Sequence, residues 1–125
     1  GVLSMNAHKT IYIVTPEFNG NGQLMFRDNI QHMVRNRNVV ILMGSITTGE
    51  TLRKCMESIL YYGGTIQGVS SIFSAVNKVA GLDINAVFYK KDVPDYQTHK
   101  ASECPMCRNG QRLDAIVNGY GYSKL

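Results

Sequence analysis

The sequence lacks the features on which several large protein classes depend. No apolar run approaches the roughly 18 residues that a membrane-spanning helix needs, so we expect no membrane partner. The first residues show no basic stretch leading into an apolar core, which argues against a secretory signal. Because the chain starts with Gly rather than Met, we expect a processed or truncated product.

Cysteine and charge are scarce as well. The three cysteines are an odd number, and without a signal a reduced, cytoplasmic compartment is the simpler interpretation. Thirteen basic and nine acidic residues give a formal net charge of +4. The basic residues stand singly or in pairs, such as Arg53–Lys54, so no cluster marks a nucleic-acid groove. We expect no nucleic-acid partner, and an anionic small molecule fits this charge better.

The length suits one domain. A chain of 125 residues can bury a single core, and it contains no internal repeat and no low-complexity linker. No Ser/His/Asp triad spacing or paired carboxylates stand out. We expect a single domain over 1–125, in which 91–125 form an irregular C-terminal extension.

Strands are predicted where apolar and β-branched residues run together. These segments are Thr10–Val14, Val39–Met43, Thr65–Phe73 and Ile84–Tyr89. Two asparagines and two glycines within Glu17–Gly22 predict a flexible loop or hairpin tip, followed by a short returning strand within Gln23–Arg27. Residues 75–81 are predicted to form a loop or a short helix.

A helical period begins at Glu50 and stops at the Tyr-Tyr-Gly-Gly run 61–64, where a glycine is available for a left-handed cap. The predicted apolar face consists of Leu52, Cys55, Met56, Ile59 and Leu60. The predicted outer face consists of Arg53, Lys54, Glu57 and Ser58.

These elements predict an α/β fold with a mostly parallel sheet and flanking helices. Only one strong amphipathic helix is visible, whereas a parallel sheet needs cover on both faces. We therefore expect some cover to be missing from this chain. Either a partner subunit supplies it or a preceding segment has been lost.

The segment Ser45–Thr51 lies between a buried strand and the helix start, where open α/β sheets bind ligands. Gly49 would let the backbone approach a ligand, and amides at the helix start favour an anion. Hydroxyl groups add donors, at Ser45, Thr47, Thr48 and Thr51. The alternative is a plain strand–helix turn in which Thr47 or Thr48 caps the helix.

The stretch VVILMGSITTGETL resembles the signature of the type I phosphoribosyltransferases. In that family the signature consists of four apolar strand residues, two acids, a small or apolar pair, and then Thr-Thr-Gly. The segments GVSSIFSAV, INAVFYKKD and ECPMCRNG resemble the second half of the orotate phosphoribosyltransferase branch. The resemblance implies a phosphoribosyltransferase-like fold and transfer of ribose 5-phosphate from phosphoribosyl pyrophosphate to a nucleobase such as orotate, as in pyrimidine biosynthesis. It also implies magnesium and a homodimer.

Carried onto this sequence, the resemblance implies a 5-phosphate cradle at Ser45, Thr47, Thr48, Gly49, Glu50 and Thr51. Met43 and Gly44 stand where the family has the acidic pair that holds the ribose hydroxyls. Neither residue can accept a charged hydrogen bond or help to balance a cation, so ribose positioning should suffer and a magnesium site is doubtful.

Two further parts of the family pattern are missing. Glu17–Gly22 stands where the family has a basic mobile loop, and it holds no Lys, Arg or His. The family's pyrophosphate loop precedes the segment that aligns with Thr10–Val14, and almost nothing precedes it here. The N-terminal part of the fold is therefore expected to be absent. Catalysis is expected to be weak or lost, and a non-catalytic nucleotide-sensing module is the alternative.

The cysteine pair is open to three interpretations. His99, Cys104 and Cys107 offer three potential zinc ligands, although zinc normally takes four. The pair could also be a redox dithiol, or a structural turn with small thiols. We expect no bound zinc. Cys55, on the apolar helix face, is expected to be a core residue.

Overall fold

The computed structural model describes residues 1–125. It contains two compact units, Gly1–Pro94 and Asp95–Leu125, which are described separately. No helix is both long enough and apolar enough to cross a membrane.

The first unit contains six strands and two helices. Its elements are α1 (Val2–Ala7), β1 (Glu17–Phe18), β2 (Leu24–Met25), β3 (Asn38–Ile46), α2 (Glu50–Tyr61), β4 (Thr65–Ser74), β5 (Lys78–Val79) and β6 (Leu82–Tyr89). Short 3-10 turns lie at Gln31–Met33 and Lys90–Asp92. The predicted strands around residues 40, 70 and 86 and the helix from Glu50 are confirmed.

The main sheet has four strands in the order β3-β4-β6-β5. β3, β4 and β6 run parallel, and β5 pairs with β6 in the antiparallel sense. The α/β class is therefore confirmed, with a mixed sheet. Helices are few, and α2 is the one that contacts β3 and β4. Flanking by several helices is not seen.

The buried core lies on the side of the sheet that α2 covers. Its members are Phe26, Val34, Ile41, Ile46, Leu52, Met56, Ile59, Val69, Val79 and Ile84. α2 buries Leu52, Met56 and Ile59 as predicted, and Cys55 is partly buried against this core.

Two helix positions were predicted wrongly. Leu60 is 60% exposed, whereas Ser58 is buried. Ser58 is buried because β2 of the β1–β2 hairpin packs on α2 and covers the side on which Ser58 lies. The predicted apolar face assumed that α2 contacts only the sheet, so it left out this contact with the hairpin.

The end of α2 follows the glycine prediction. Gly63 is left-handed, with φ of 81°. The amide of Gly63 donates to the Leu60 carbonyl at 3.1 Å, and that of Gly64 donates to the Ile59 carbonyl at 2.9 Å. These two bonds form a Schellman motif, which turns the chain from α2 into β4.

The opposite face of the sheet is open. Val40, Leu42, Ile72 and Val87 point away from the core, and each is between 58% and 78% exposed. Parallel sheets normally carry cover on both faces. The predicted deficit of cover is therefore present in the structure as an apolar, uncovered sheet face.

The predicted strand Thr10–Val14 is wrong. These residues pair with no strand, and Ile13 is 91% exposed. Arg37 lies over the Tyr12 ring, 5.7 Å from its centroid, and Val14 packs against the core. High β propensity favours a strand only where a neighbouring strand can complete the ladder.

The predicted hairpin is confirmed. Glu17–Phe18 pairs with Leu24–Met25 in the antiparallel sense. Asn19 organises the tip, because its Oδ1 accepts hydrogen bonds from the amides of Asn21 and Gln23, both at 2.9 Å.

The second unit contains more regular structure than predicted. It has a 3-10 turn at Ala101–Glu103, helix α3 (Pro105–Arg108), and strands β7 (Ala115–Asn118) and β8 (Gly121–Lys124). β7 and β8 form an antiparallel hairpin with a two-residue loop. Residues 115–124 are therefore more regular than the irregular extension predicted for 91–125.

Candidate functional site

The segment 45–51 lies at the carboxyl edge of the three parallel strands. β3 ends at Ile46, which pairs with Ser74 of β4, and Ser74 pairs with Tyr89 of β6. The amide of Ala75 donates to the Ile46 carbonyl at 2.8 Å and fixes the start of the segment. This edge is where open α/β sheets bind ligands. Met43 and Gly44 lie within β3, so the strand runs further than the predicted end at Met43.

Gly49 makes the turn from strand to helix. Its φ is 84°, in the left-handed region, and it is the N-cap residue of α2. A Cβ at this position would lie 2.7 Å from Cγ2 of Val79, a buried side chain of β5. Both the backbone conformation and the close approach require glycine here.

The amides around Gly49 face no protein acceptor, with one exception. The Glu50 amide donates to Thr48 Oγ1 at 3.4 Å, which is long for a hydrogen bond. No side chain caps α2 from the N-cap position. The amides of Thr48, Gly49 and Thr51 have no partner in the protein. The Thr48 hydroxyl group thus caps only the Glu50 amide, and weakly. The amides of Thr48, Gly49 and Thr51 stay available to a ligand.

The hydroxyl groups of this segment are accessible. Ser45, Thr47, Thr48 and Thr51 are all exposed, whereas Gly49 is buried beneath them. Amides at a helix start and hydroxyl donors together suit an anion such as a phosphate.

The segment carries no positive charge of its own. Its single charged residue is Glu50, an acid in the first turn of α2. The nearest cations along the helix are Arg53 and Lys54, and the Lys54 ammonium lies 3.5 Å from the carbonyl of Gly22 in the hairpin. Attraction for an anion therefore depends on backbone dipoles and hydroxyl groups, and the Glu50 carboxylate opposes it.

Met43 and Gly44 point to opposite faces of the sheet. Met43 is partly buried and packs against the core, whereas Gly44 lies on the open face, where a Cβ would meet no atom within 4 Å. Neither residue supplies an oxygen ligand of the kind that magnesium prefers. The residues present at these two positions therefore do not fit a magnesium site.

The hairpin in the place of the basic loop holds Arg27 in an ion pair. Arg27 follows β2 and forms an ion pair with Glu17 at 2.8 Å. The hydrogen bond from Arg27 lowers the pKa of the Glu17 carboxyl. Arg27 is thereby held at the base of the hairpin, and it contacts Glu17 rather than the segment 45–51.

Sequence reasoning missed several residues that support the segment. Val79 packs under Gly49, and it lies in a strand that was predicted as a loop or short helix. Ala80 and Gly81 both have positive φ, and they form the tight turn between β5 and β6. Ser74 is fully buried, and its hydroxyl donates to the Val76 carbonyl at 2.6 Å.

A concave surface lies elsewhere in the first unit. A cleft of about 660 Å³ runs between the β1–β2 hairpin and α2, and its lining includes Lys54, Ser58 and Tyr61. The Ser58 hydroxyl is buried and has no hydrogen-bond partner. The segment 45–51 does not line this cleft, and its groups are arranged on an open surface.

The zinc interpretation gains no geometric support. No group of three or more His, Cys, Asp or Glu side chains is arranged to hold a metal ion. The His99 ring contacts Gln97 Oε1 at 3.1 Å, rather than joining Cys104 and Cys107.

Comparisons with known proteins give one informative match. The chain is 30% identical over 108 residues to an orotate phosphoribosyltransferase of Chlorobaculum parvum. The match covers 86% of this chain and 52% of that protein, so the chain spans about half the length of the curated relative. No protein-family profile matches the chain. The chain is therefore similar to a phosphoribosyltransferase over part of that enzyme's length.

Proposed function

We propose that this chain is a phosphoribosyltransferase-like domain that binds the 5-phosphate of phosphoribosyl pyrophosphate or of a nucleotide. The phosphate would lie on Ser45, Thr47, Thr48, Gly49, Glu50 and Thr51. The observation that carries this proposal is the turn before α2, where Thr47, Thr48 and Thr51 are exposed and the amides of Thr48, Gly49 and Thr51 have no protein acceptor. The 30% identity to an orotate phosphoribosyltransferase supports it independently. The related reaction would be phosphoribosyl transfer to a nucleobase such as orotate.

Binding and catalysis are separable in this proposal. Met43 and Gly44 offer no carboxylate to hold ribose hydroxyls. Losing such positioning raises a reaction barrier by several kcal/mol, which is a loss of orders of magnitude in rate. We therefore expect phosphate binding with weak or no transfer.

The second candidate is a non-catalytic module that senses a nucleotide. The observation that favours it is the same pair of positions, where a thioether packs into the core and a glycine leaves bare backbone. Such a module would use the phosphate contacts alone. Nucleotide binding without turnover distinguishes it from an enzyme.

The proposal extends to a homodimer in the cytoplasm. The uncovered face with Val40, Leu42, Ile72 and Val87 supports a partner subunit, because apolar faces of this kind are normally buried. The three free cysteines suit a reducing compartment.

Calorimetry tests the phosphate site. Ribose 5-phosphate and a nucleoside monophosphate are expected to bind, and ribose is not. Thr48→Val removes one hydroxyl donor and is expected to weaken binding about tenfold, since a hydrogen bond to a charged group contributes about 1.5–3 kcal/mol. Thr65→Val is the matched control, because Thr65 is also exposed but lies at the opposite end of the sheet. Equal affinities of the two variants would show that the phosphate binds elsewhere.

A pyrophosphate-release assay with phosphoribosyl pyrophosphate and orotate tests whether the chain catalyses phosphoribosyl transfer. Binding without release supports the sensing module, and rapid release contradicts the expected loss of catalysis. Gly49→Val is unsuitable as a binding probe, because its side chain would collide with Val79 and disturb the fold.

A further inference from the structure

The second unit carries two cysteines that the proposed phosphate site does not use. Cys104 directly precedes α3 and Cys107 lies within it, so Cys104-Pro105-Met106-Cys107 forms a single turn. The amide of Arg108 donates to the Cys104 carbonyl at 3.1 Å, and that of Asn109 donates to the Pro105 carbonyl at 3.0 Å. These bonds hold the spacing between the two cysteines.

This spacing is compatible with a disulfide. Cys104 is the N-cap residue of α3 and Cys107 is its third residue, and the side chain of an N-cap residue reaches the second and third residues of the first turn. A disulfide tolerates Cα atoms about 4.4–6.8 Å apart and draws its Cβ atoms to about 4 Å. The turn can therefore close a bond between Cys104 and Cys107 with a small adjustment.

Both thiols are free, and a dissolved reagent can reach them. Cys107 is exposed and Cys104 is partly exposed. Cys55 provides an internal contrast, because it packs against the core and burial raises the pKa of its thiol. The chain thus holds one sheltered thiol and one accessible pair.

The two thiols of the pair differ in character. The backbone amide of Cys107, followed by the Cys107 thiol, lowers the pKa of Cys104. The hydrogen bond with Cys104 and the charge of its thiolate raise the pKa of Cys107. Cys104 makes no capping hydrogen bond of regular geometry, so its contact with the amide is weak. The difference nevertheless favours Cys104 as the attacking thiolate.

We propose that Cys104 and Cys107 form a thiol–disulfide exchange site for low-molecular-weight disulfides. The Cys104 thiolate attacks one sulfur of the reagent, whose S–S bond breaks and releases one thiolate. Cys107 then loses its proton to solvent and attacks the Cys104 sulfur, which releases the second thiolate. The two protein thiols are oxidised to a disulfide, and the reagent disulfide is reduced to two thiols. This site is independent of phosphate binding.

Oxidised glutathione is the probe, and peptide mass spectrometry of the whole 125-residue chain is the readout. We expect the peptide with Cys104 and Cys107 to lose two hydrogens, while Cys55 stays reduced. In Cys107→Ser the exchange should stop at a glutathione adduct on Cys104. In Cys104→Ser the adduct on Cys107 should form more slowly than the Cys104 adduct of Cys107→Ser, because only Cys104 lies against the backbone amide of Cys107.

Urea provides the control for geometry. Unfolding should make the adduct rates of the two single variants equal, because the turn that distinguishes the thiols is lost. Three results would overturn the proposal. These are a faster adduct on Cys107 than on Cys104, a persistent mixed disulfide in the unsubstituted chain, and thiols that resist oxidation because purified protein holds zinc.

Discussion

The two faces of the main sheet differ although the same strands build both. On β3, Ile41 is 5% exposed beneath α2, whereas its neighbour Leu42 is 78% exposed on the opposite side. β4 and β6 repeat the contrast, with Val69 and Ile84 inside and Ile72 and Val87 outside. An unbroken apolar run in the sequence predicts a strand with apolar side chains on both faces, and it does not distinguish the two faces. Which face this chain covers depends on where α2 returns over the sheet.

The largest effect is expected from the matched pair Ile41→Ala and Leu42→Ala. Ile41 is in the core, so its truncation should reduce the free energy of unfolding by about 2–5 kcal/mol. Leu42 contributes little buried area within one chain, so its truncation should change this free energy by less than about 0.5 kcal/mol while the chain is monomeric. Urea unfolding at low protein concentration measures both. Equal losses there would mean that the open face is covered within one chain, whereas a Leu42→Ala loss that appears only at high protein concentration is the result expected of the proposed homodimer.

A second pair tests packing space on the two sides. A Cβ at Gly64 would lie 2.7 Å from Cγ2 of Ile59 and 3.0 Å from Cγ1 of Val34, both core residues. Gly64→Ala is expected to reduce the free energy of unfolding by about 1–3 kcal/mol through overpacking.

Gly68 on the open side of β4 has no atom within 4 Å of a Cβ position, and neither glycine has a left-handed φ. Gly68→Ala should therefore stabilise the chain by about 0.5 kcal/mol or leave it unchanged. Thermal unfolding compares the two variants. A similar loss in both would show that the open face is as tightly packed as the covered one.

The smallest effect is expected at the hairpin that packs on α2. The hydrogen bond from Arg27 lowers the pKa of Glu17 below its ordinary value of 4.5. Because the folded pKa is the lower one, the stabilising contribution is present above pH 4.5 and is lost as the pH falls through the folded pKa. The effect is small, since both side chains are exposed.

Carboxyl NMR titration should show Glu17 titrating below its ordinary value of 4.5. In Arg27→Gln its pKa should return to the ordinary range. An unchanged Glu17 pKa in that variant would contradict the ion pair.

Sequence periodicity was sufficient to predict the central βαβ unit, which consists of β3, α2 and β4. The runs around Val40 and Val69 and the helical spacing from Glu50 predicted β3, β4 and α2 because each element has a strong local pattern. Thr10–Val14 failed because strand propensity does not supply a partner strand. Ser58 is buried against expectation because the hairpin, a contact distant in sequence, covers its side of α2.

The turn at residues 45–51 was predictable from the sequence, whereas the contacts that support it were not. The order strand, small-residue turn, helix located residues 45–51, and the exposure of Thr47, Thr48 and Thr51 is compatible with that prediction. The contact between Gly49 and Val79 joins two segments 30 residues apart in sequence, and no local pattern could reveal it. The binding role itself stays a prediction.

Amide NMR with the intact chain tests the central claim most directly. Titration with ribose 5-phosphate should shift the backbone amide signals of Thr48, Gly49 and Thr51 in a saturable way, while those of the Thr65 region stay fixed. That result would show the open donors at the start of α2 taking up a phosphate. Saturable shifts confined to other residues, or no shifts at millimolar ligand, would contradict the account.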